Sequence, residues 1–232
     1  MIPDVIDNDS LAQCMLLRKL SPTEWQAILS GGREHRVLPG EYFFHQGEES
    51  NQLYILLAGQ VKLTQVTEAG NQVVIGYLRP GDGLGIVVAL SNMLYPLSAE
   101  AMELCLAVGW ARDDMKALML HYPQLALNSL EMVGERFAEL QERFRDLATR
   151  RVEQRVARAL LRLVRQFGKR VAEGVLIDIP LSRQSLAEMT GTNLYQVSRL
   201  VSRWEKEGVV QSEHQRITIL KAHELVILGE DL

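Results

Sequence analysis

Cysteine is scarce in this chain, which contains only Cys14 and Cys105. Two thiols exclude a framework of disulfides, and by themselves they cannot form a Cys₄ zinc site or an all-cysteine iron–sulfur cluster. No apolar run approaches the roughly 20 residues that cross a bilayer, so we expect no membrane-spanning segment and no membrane partner. The acidic start of the chain also differs from a signal peptide, and the expected location is therefore the cytoplasm.

Motifs for catalysis are missing as well. The sequence has no phosphate-binding loop, no nucleophile elbow and no closely spaced His-x-His pair with a carboxylate. These absences predict that the chain is not an enzyme. A cupin-like metal site in the β-rich region is the enzymatic alternative, and a module that binds only other proteins is a further alternative.

Charge is unevenly distributed along the chain. Residues 1–149 contain 11 Lys and Arg against 19 Asp and Glu, whereas residues 150–232 contain 14 against 10. The first part is therefore acidic by 8 charges and the second part is basic by 4. This asymmetry favours a polyanion such as nucleic acid as the partner of the second part, although so small an excess also arises by chance.

Short apolar runs separated by glycine-containing turns follow a first helix. That helix is predicted to begin with a capping box at Ser21 and Glu24 and to end at Gly31. The apolar runs lie at residues 42–44, 53–57, 61–67, 73–78 and 104–110. Their length and spacing predict an antiparallel β-barrel or β-roll over residues 1–122.

A heptad pattern then predicts a long helix over residues 123–149. Its apolar positions, at alternating spacings of three and four, are Leu130, Val133, Phe137, Leu140, Phe144 and Leu147. Charged residues flank this narrow seam, which favours a homodimer over the alternative that the helix packs on its own β-domain. A hinge at residues 148–151 leads into a second amphipathic helix that ends at Gly168.

The segment 182–208 has the pattern of a helix-turn-helix within a C-terminal domain of residues 150–232. Ala187 is small where a second helix crosses, Gly191 permits the positive φ of the turn, and Val197 fills the gap between the helices. Ser182 and Thr192 are the expected N-caps. Two short β-runs near residues 209–211 and 217–219 complete a predicted winged helix.

In such a unit the second helix enters the major groove of DNA. The predicted DNA-binding residues are Ser182, Thr192, Asn193, Tyr195, Gln196, Arg199 and Arg203. Arg199 suits guanine and Gln196 suits adenine, while Ser182, Thr192 and Arg203 stand where phosphate contacts occur. The alternatives are a salt bridge from Arg199 to Glu188 or to an acid of the wing, and a merely solvated Arg203.

Together these features resemble the CRP/FNR (cyclic-AMP receptor protein/fumarate-nitrate reduction) regulators. The resemblance rests on PGEYFFHQGE at residues 39–48, YILLAG at residues 54–59, PGD at residues 80–82 and DLA at residues 146–148, with the helix-turn-helix. It implies an α+β fold in which an N-terminal β-roll senses a signal, a long helix forms a homodimer, and a winged helix reads palindromic double-stranded DNA. RNA polymerase is a further expected partner.

The chain departs from the nucleotide-binding and iron–sulfur branches of that family. Ile86 and Leu97 replace the glutamate and arginine that bind a cyclic nucleotide, and Leu140-Gln141 replaces a pair of hydroxyl residues. The resemblance therefore implies neither cyclic AMP nor an iron–sulfur cluster. The effector-pocket residues are predicted to be Ile86, Leu97, Ser98, Leu140 and Gln141.

The effector itself stays open. The stretch 190–199 is similar to the family branch that answers nitric oxide, but Leu194-Tyr195 replaces the usual arginine–glutamate pair of the recognition helix. Haem is one hypothesis, with His45 and Cys105 as the foremost ligands. His35, His121 and Cys14 are further candidates, and each of the five has an ordinary structural role as its alternative. A small organic ligand, or regulation with no effector, are the other hypotheses.

Overall fold

A computed structural model describes residues 14–86, 91 and 93–230 of the chain. They form two units. The first comprises the chain up to Asn71 with Ile75–Glu139, and the second comprises Gln72–Val74 with the chain from Leu140 onward. The mixed α+β fold agrees with the prediction, whereas the two predicted domain boundaries, at residues 122/123 and 149/150, stay a prediction. Over the described residues, none of the helices has the length and apolar character that crossing a membrane requires.

The first unit contains a short 3₁₀ turn, Met15–Leu17, and then helix α1, Pro22–Ser30. Both sides of the predicted capping box form, since the Ser21 hydroxyl accepts from the backbone of Glu24 and the Glu24 carboxylate accepts from the backbone of Ser21. Helix α1 ends at Gly31 as predicted. After it come the strands β1 Arg33–Val37, β2 Tyr42–Phe44, β3 Gln52–Ala58, β4 Val61–Val66, β5 Gln72–Leu78, β6 Gly83–Leu84, β7 Ser98–Ala101 and β8 Cys105–Ala111.

These strands form two four-stranded sheets, in the orders β1-β8-β3-β6 and β2-β7-β4-β5. The pairings β1–β8, β3–β8, β3–β6, β2–β7 and β4–β7 are all antiparallel, which confirms the predicted sheet type. Strand β8 is followed by helix α2, Arg112–His121. One apolar cluster gathers around Leu53, Ile55 and Trp110, and another around Leu56, Leu63 and Cys105.

Helix α3 spans Pro123–Thr149 without a break, as the heptad pattern predicts. Helix α4 follows at Val152–Phe167. Only residues 150 and 151 separate the two helices, so the predicted hinge is shorter than expected and Ala148 and Thr149 are helical.

The second unit builds a helix-turn-helix and a small sheet on α4. Its helices are α5 Arg183–Thr190, α6 Leu194–Lys206 and α7 Ala222–Gly229, and its strands are β9 Gly168–Val171, β10 Gly174–Ile177, β11 Val210–Glu213 and β12 Arg216–Ile219. The sheet order is β11-β12-β10-β9, with antiparallel pairing throughout. Strands β11 and β12 form the predicted wing, joined at a turn where His214 and Gln215 have positive φ.

Candidate DNA-binding surface

The turn between α5 and α6 has the geometry that the sequence predicts. Ser182 is the N-cap of α5, and its hydroxyl accepts from the backbone N–H of Ser185 at 2.9 Å. Gly191 closes α5 in the left-handed region, with φ 60° and ψ 44°. Arg155 of α4 supports this turn, because its guanidinium donates to the carbonyls of Thr190 at 2.9 Å and Gly191 at 3.2 Å.

The cap of α6 corrects one expectation. Asn193, not Thr192, is the N-cap, and its Oδ1 accepts from the backbone N–H of Gln196 at 2.9 Å. The Thr192 hydroxyl instead donates to Oε1 of Gln196 at 2.9 Å. Thr192 therefore orients the side chain of Gln196, which is predicted to read adenine. The Asn193 side chain caps the start of α6.

A small apolar core fixes α6 against α5. Ala187, Val197, Val201 and Trp204 are all buried, as is Leu186, which matches the predicted helix-turn-helix core. Leu200, also expected there, is only half-buried. Because one face of α6 is anchored in this way, its opposite face is held outward at a fixed angle.

The outward face of α6 presents polar and cationic side chains. Tyr195 is 71% exposed. A shallow groove along the helix is lined by Tyr195, Ser198, Arg199, Leu200, Ser202, Arg203 and Lys206. The sequence analysis did not include Ser198, Ser202 and Lys206. Ser198 and Ser202 lie three residues after Tyr195 and Arg199, and Lys206 lies four residues after Ser202, so all three are on the same face.

The two predicted arginines of α6 differ in their surroundings. Within the described part of the chain, Arg199 has no hydrogen-bond or ion-pair partner, and Glu188 is instead bonded by Gln184 at 2.8 Å. Arg203 pairs with Glu153 of α4 and lies 3.9 Å from Glu207. The salt-bridge alternative for Arg199 is therefore wrong in this structure, whereas Arg203 is already neutralised by its own chain.

Comparisons with known proteins agree with this geometry. Residues 34–122 match the cyclic nucleotide-binding domain, and residues 154–227 match the Crp-like helix-turn-helix domain. This chain belongs to the CRP/FNR family of transcription regulators. It is accordingly a DNA-binding transcription regulator, and the prediction that it is not an enzyme is confirmed by these relatives.

Relatives within the family are distant but cover most of the chain. The global nitrogen regulator of Nostoc sp. (strain PCC 7120) is 27% identical over 183 residues, which cover 77% of this chain and 81% of that protein. The transcriptional activator protein anr of Pseudomonas aeruginosa is 24% identical over 190 residues, covering 82% and 78% respectively. The structure of FixK2 from Bradyrhizobium japonicum shares the fold, with a TM-score of 0.75 at 21% identity, and the match covers 87% of this chain and 98% of that one.

Most of the residues predicted to form the dimer of this CRP/FNR chain are exposed to solvent on α3. Leu130, Phe137, Leu140, Phe144 and Leu147 are exposed. Val133 differs, because it packs against the apolar cluster of the first unit. Leu127, which is not among the predicted residues, is exposed. Gly134 is exposed as well and replaces the neighbouring Val133 in the outward-facing set. The exposed stripe therefore comprises Leu127, Leu130, Gly134, Phe137, Leu140, Phe144 and Leu147.

The predicted effector-pocket residues have unlike surroundings. Ile86 is 2% exposed and packs in the cluster around Trp110, whereas the half-buried Leu97 packs against the cluster that contains Cys105. The Ser98 hydroxyl accepts from the backbone N–H of Gln46 at 2.9 Å. Leu140 and Gln141 are exposed on α3. The segment Val87–Leu90, which completes the family's nucleotide cassette, lies outside the described residues.

The residues at the two positions predicted to correspond to the family's nucleotide contacts do not fit a cyclic nucleotide. A buried phosphate needs a cation or a cluster of donors, and Leu97 supplies neither. The ribose hydroxyl needs a polar partner, and Ile86 is an apolar core residue. The family's usual nucleotide chemistry therefore lacks both of its anchors at these positions.

The foremost haem candidates are a buried thiol and an exposed histidine. Burial raises the pKa of the Cys105 thiol to about 11, which keeps it protonated at neutral pH. Its Sγ donates to the Gln60 carbonyl at 3.4 Å, and a Cβ added to Gly59 would lie 2.7 Å from that sulfur. His45 is exposed, with its ring 4.4 Å from that of Tyr42. This close packing does not fit a haem on Cys105.

The other three candidates are no better placed. Cys14 is buried, which raises its pKa to about 11. His35 lies edge-on to Tyr54 with 5.1 Å between ring centroids, and His121 has the same relation to Tyr122 at 4.5 Å. No group of three potential metal ligands comes together among the residues whose positions are described.

Proposed function

We propose that this regulator acts as a homodimer and reads a palindromic DNA site through α6, with Arg199 as its principal base contact. The observation that carries the proposal is the exposed guanidinium of Arg199, which has no partner among the described residues and lies on the outward face of a helix whose other face is fixed by a buried core. An unpaired arginine donates two parallel hydrogen bonds to guanine O6 and N7 without first breaking an ion pair. Gln196 and Tyr195 lie on the same face and extend the reading surface.

Charge around the helix supports this assignment. The first turn of α6 contains no acidic residue, and its last turn contains Arg203 and Lys206. The N-terminus of the helix also contributes a partial positive charge. Because Arg203 is paired with Glu153, the N-terminus of α6 and Lys206 attract DNA phosphates, while base selection depends on the few side chains at the start of the helix.

The homodimer follows from the exposed stripe on α3. Large apolar side chains at helical spacing seldom stay in water on a monomer. A second copy of the chain presents the same stripe, so a two-fold pairing covers both at once. Two α6 helices related by that two-fold axis would read two inverted half-sites.

The test begins with selection of a site from random duplexes by the unmodified protein. Each good bidentate contact contributes about 1–3 kcal/mol of discrimination and a homodimer makes two, so Arg199→Ala should weaken binding to the selected site by at least roughly 30-fold. Its binding to unselected DNA should change little. Fluorescence anisotropy at fixed salt measures both affinities.

Arg203→Ala is the matched control, because it removes the same side chain from the same helix but one that is already paired with Glu153. It should lower binding to both duplexes equally and by no more than a few-fold. If Arg199→Ala discriminates as well as the unmodified protein, Arg199 is not the base contact. If no site is selected at all, the proposed function is wrong.

We further propose that the signal sensed by the first unit is not a cyclic nucleotide of the usual kind. Ile86 and Leu97 leave the phosphate and the ribose without their partners. Cyclic AMP at millimolar concentration should neither raise the melting temperature nor change the affinity for the selected site. A saturable shift in either quantity would overturn this proposal.

A further inference from the structure

A buried cluster of charges joins the end of α3 to α4. Asp146 lies in the last turn of α3 and is only 3% exposed. Its carboxylate accepts from Nε of Arg158 at 3.0 Å and from Nη1 of Arg162 at 2.9 Å. Glu142, one turn earlier, accepts from Nη2 of Arg158 at 2.6 Å. Two acids of α3 thus face two arginines of α4.

This arrangement restricts the angle between the two helices. Charge-assisted bonds from guanidinium groups are directional, and two arginines that converge on one carboxylate limit sliding as well as rotation. Only residues 150 and 151 connect α3 to α4. A connection of that length does not by itself fix an angle, so the charge cluster, which we call the Asp146 clamp, supplies the restriction together with apolar packing.

The clamp lies between the exposed stripe and the reading helix. Phe144 and Leu147 of the stripe flank Asp146 on α3. On the other side, α4 holds the helix-turn-helix through Arg155, which donates to the carbonyls at Thr190 and Gly191, and through Glu153, which pairs with Arg203 of α6. Separate polar contacts along α4 therefore join this helix to the end of α3 on one side and to the helix-turn-helix on the other.

We propose that Asp146 is a positioning residue for DNA binding, which sets the distance between the two recognition helices of the dimer and hence the half-site spacing that the protein accepts. The inference rests on the proposed homodimer. Asp146 would touch no base. It acts through α4, so its loss affects how two half-sites are bound together and leaves the reading of one half-site intact.

The experiment compares duplexes that contain the two selected half-sites at different spacings. The unmodified protein should bind the best spacing at least about tenfold more tightly than spacings changed by one or two base pairs. Asp146→Asn keeps the shape of the side chain but removes its charge. It should reduce this preference to about threefold or less, with unchanged affinity for a duplex that contains a single half-site.

Asp178→Asn is the matched control. It makes the same substitution in the same unit, at an ion pair of 3.0 Å with Arg216 that is exposed to solvent. It should retain the full spacing preference. If Asp146→Asn does not unfold cooperatively in a thermal melt, Arg162→Gln serves as the test variant, because Arg158 still neutralises Asp146 there.

The outcomes separate the two proposals. A variant that loses the spacing preference but binds a half-site normally supports the clamp. A folded variant that keeps the preference, or that weakens half-site binding in parallel, overturns it. If the unmodified protein binds two half-sites no better than one, the homodimer proposal fails instead.

Discussion

Helices α3 and α4 follow each other in the chain and are both amphipathic, yet they place their apolar faces in opposite environments. In α4, Val156, Leu160, Leu163 and Phe167 are buried within the second unit. Helix α7 covers part of this face, since a Cβ on Gly229 would lie within 4 Å of Ala157 and Leu161. In α3, the large side chains of the exposed stripe each stay at least 50% exposed among the described residues, although Leu147 lies beside the Gly191 turn.

The difference shows that periodicity identifies an apolar face but not what covers it. Helix α3 in fact has two faces. Leu125 and Met132 pack in the core of the first unit, and the buried Asn128 donates to the carbonyls of Leu16 and Arg18 at 2.8 and 2.6 Å. The exposed stripe is what remains after that packing is complete. A second apolar face on an already anchored helix indicates a partner outside the chain.

The largest effect is expected from Phe167→Ala, at the end of α4. Phe167 is 8% exposed, and truncation of a buried phenylalanine typically costs about 3–5 kcal/mol of unfolding free energy. Urea denaturation followed by circular dichroism measures the loss. A cost below about 1 kcal/mol would mean that α4 is not anchored by its apolar face, and the contrast with α3 would disappear.

The same substitution on α3 should act on association instead. Phe144 is 72% exposed, so Phe144→Ala should change the unfolding free energy of the single chain by no more than about 0.5 kcal/mol. Burial of a phenylalanine contributes about 1.5–3 kcal/mol, and its loss from both copies should weaken dimerisation by roughly 100-fold or more. Sedimentation equilibrium measures the dissociation constant of the dimer.

Leu120→Ala is the control for Phe144→Ala. Leu120 is exposed too, but it lies on α2 and outside the stripe. Its removal should leave association unchanged. Equal effects of the two substitutions would show that general exposed apolar surface, and not the stripe on α3, holds the dimer together.

Much of this fold could be predicted from the sequence, and the failures have physical causes. The apolar runs predicted the first and last residues of β3, β4, β5 and β8 to within a residue or two. Strand β1, REHRV, was missed because it lies at a sheet edge and is mostly exposed, and β7, SAEA, was missed because its small residues carry no strand signal. Strand β7 forms through its neighbours β2 and β4, which a sequence window does not show.

The candidate site was predictable in its backbone and less so in its side-chain pairing. Gly191 was identifiable because only a few residue types tolerate its φ. The burial of Val133 was not, because Val133 and Gly134 are adjacent and only the rotation of α3 against the first unit decides which one faces outward. The pairing of Arg203 with Glu153 joins residues 50 positions apart, and no local pattern distinguishes it from the free Arg199.

The smallest effect concerns Gly134, in the middle of the exposed stripe. Among the described residues, a Cβ at this position would meet nothing within 4 Å outside the neighbouring backbone of its own helix, so Gly134→Ala should raise the unfolding free energy by up to about 1 kcal/mol through helix propensity alone. Close approach of a partner helix would explain why glycine stands there. In that case the added methyl group should weaken dimerisation by a few-fold even though it stabilises the chain.

Ala138→Gly, at an exposed position beside the stripe, is the control for Gly134→Ala. It should lower the unfolding free energy by a similar amount and leave the dissociation constant of the dimer unchanged. Tighter dimerisation of Gly134→Ala would show that the partner helices do not approach each other at this residue.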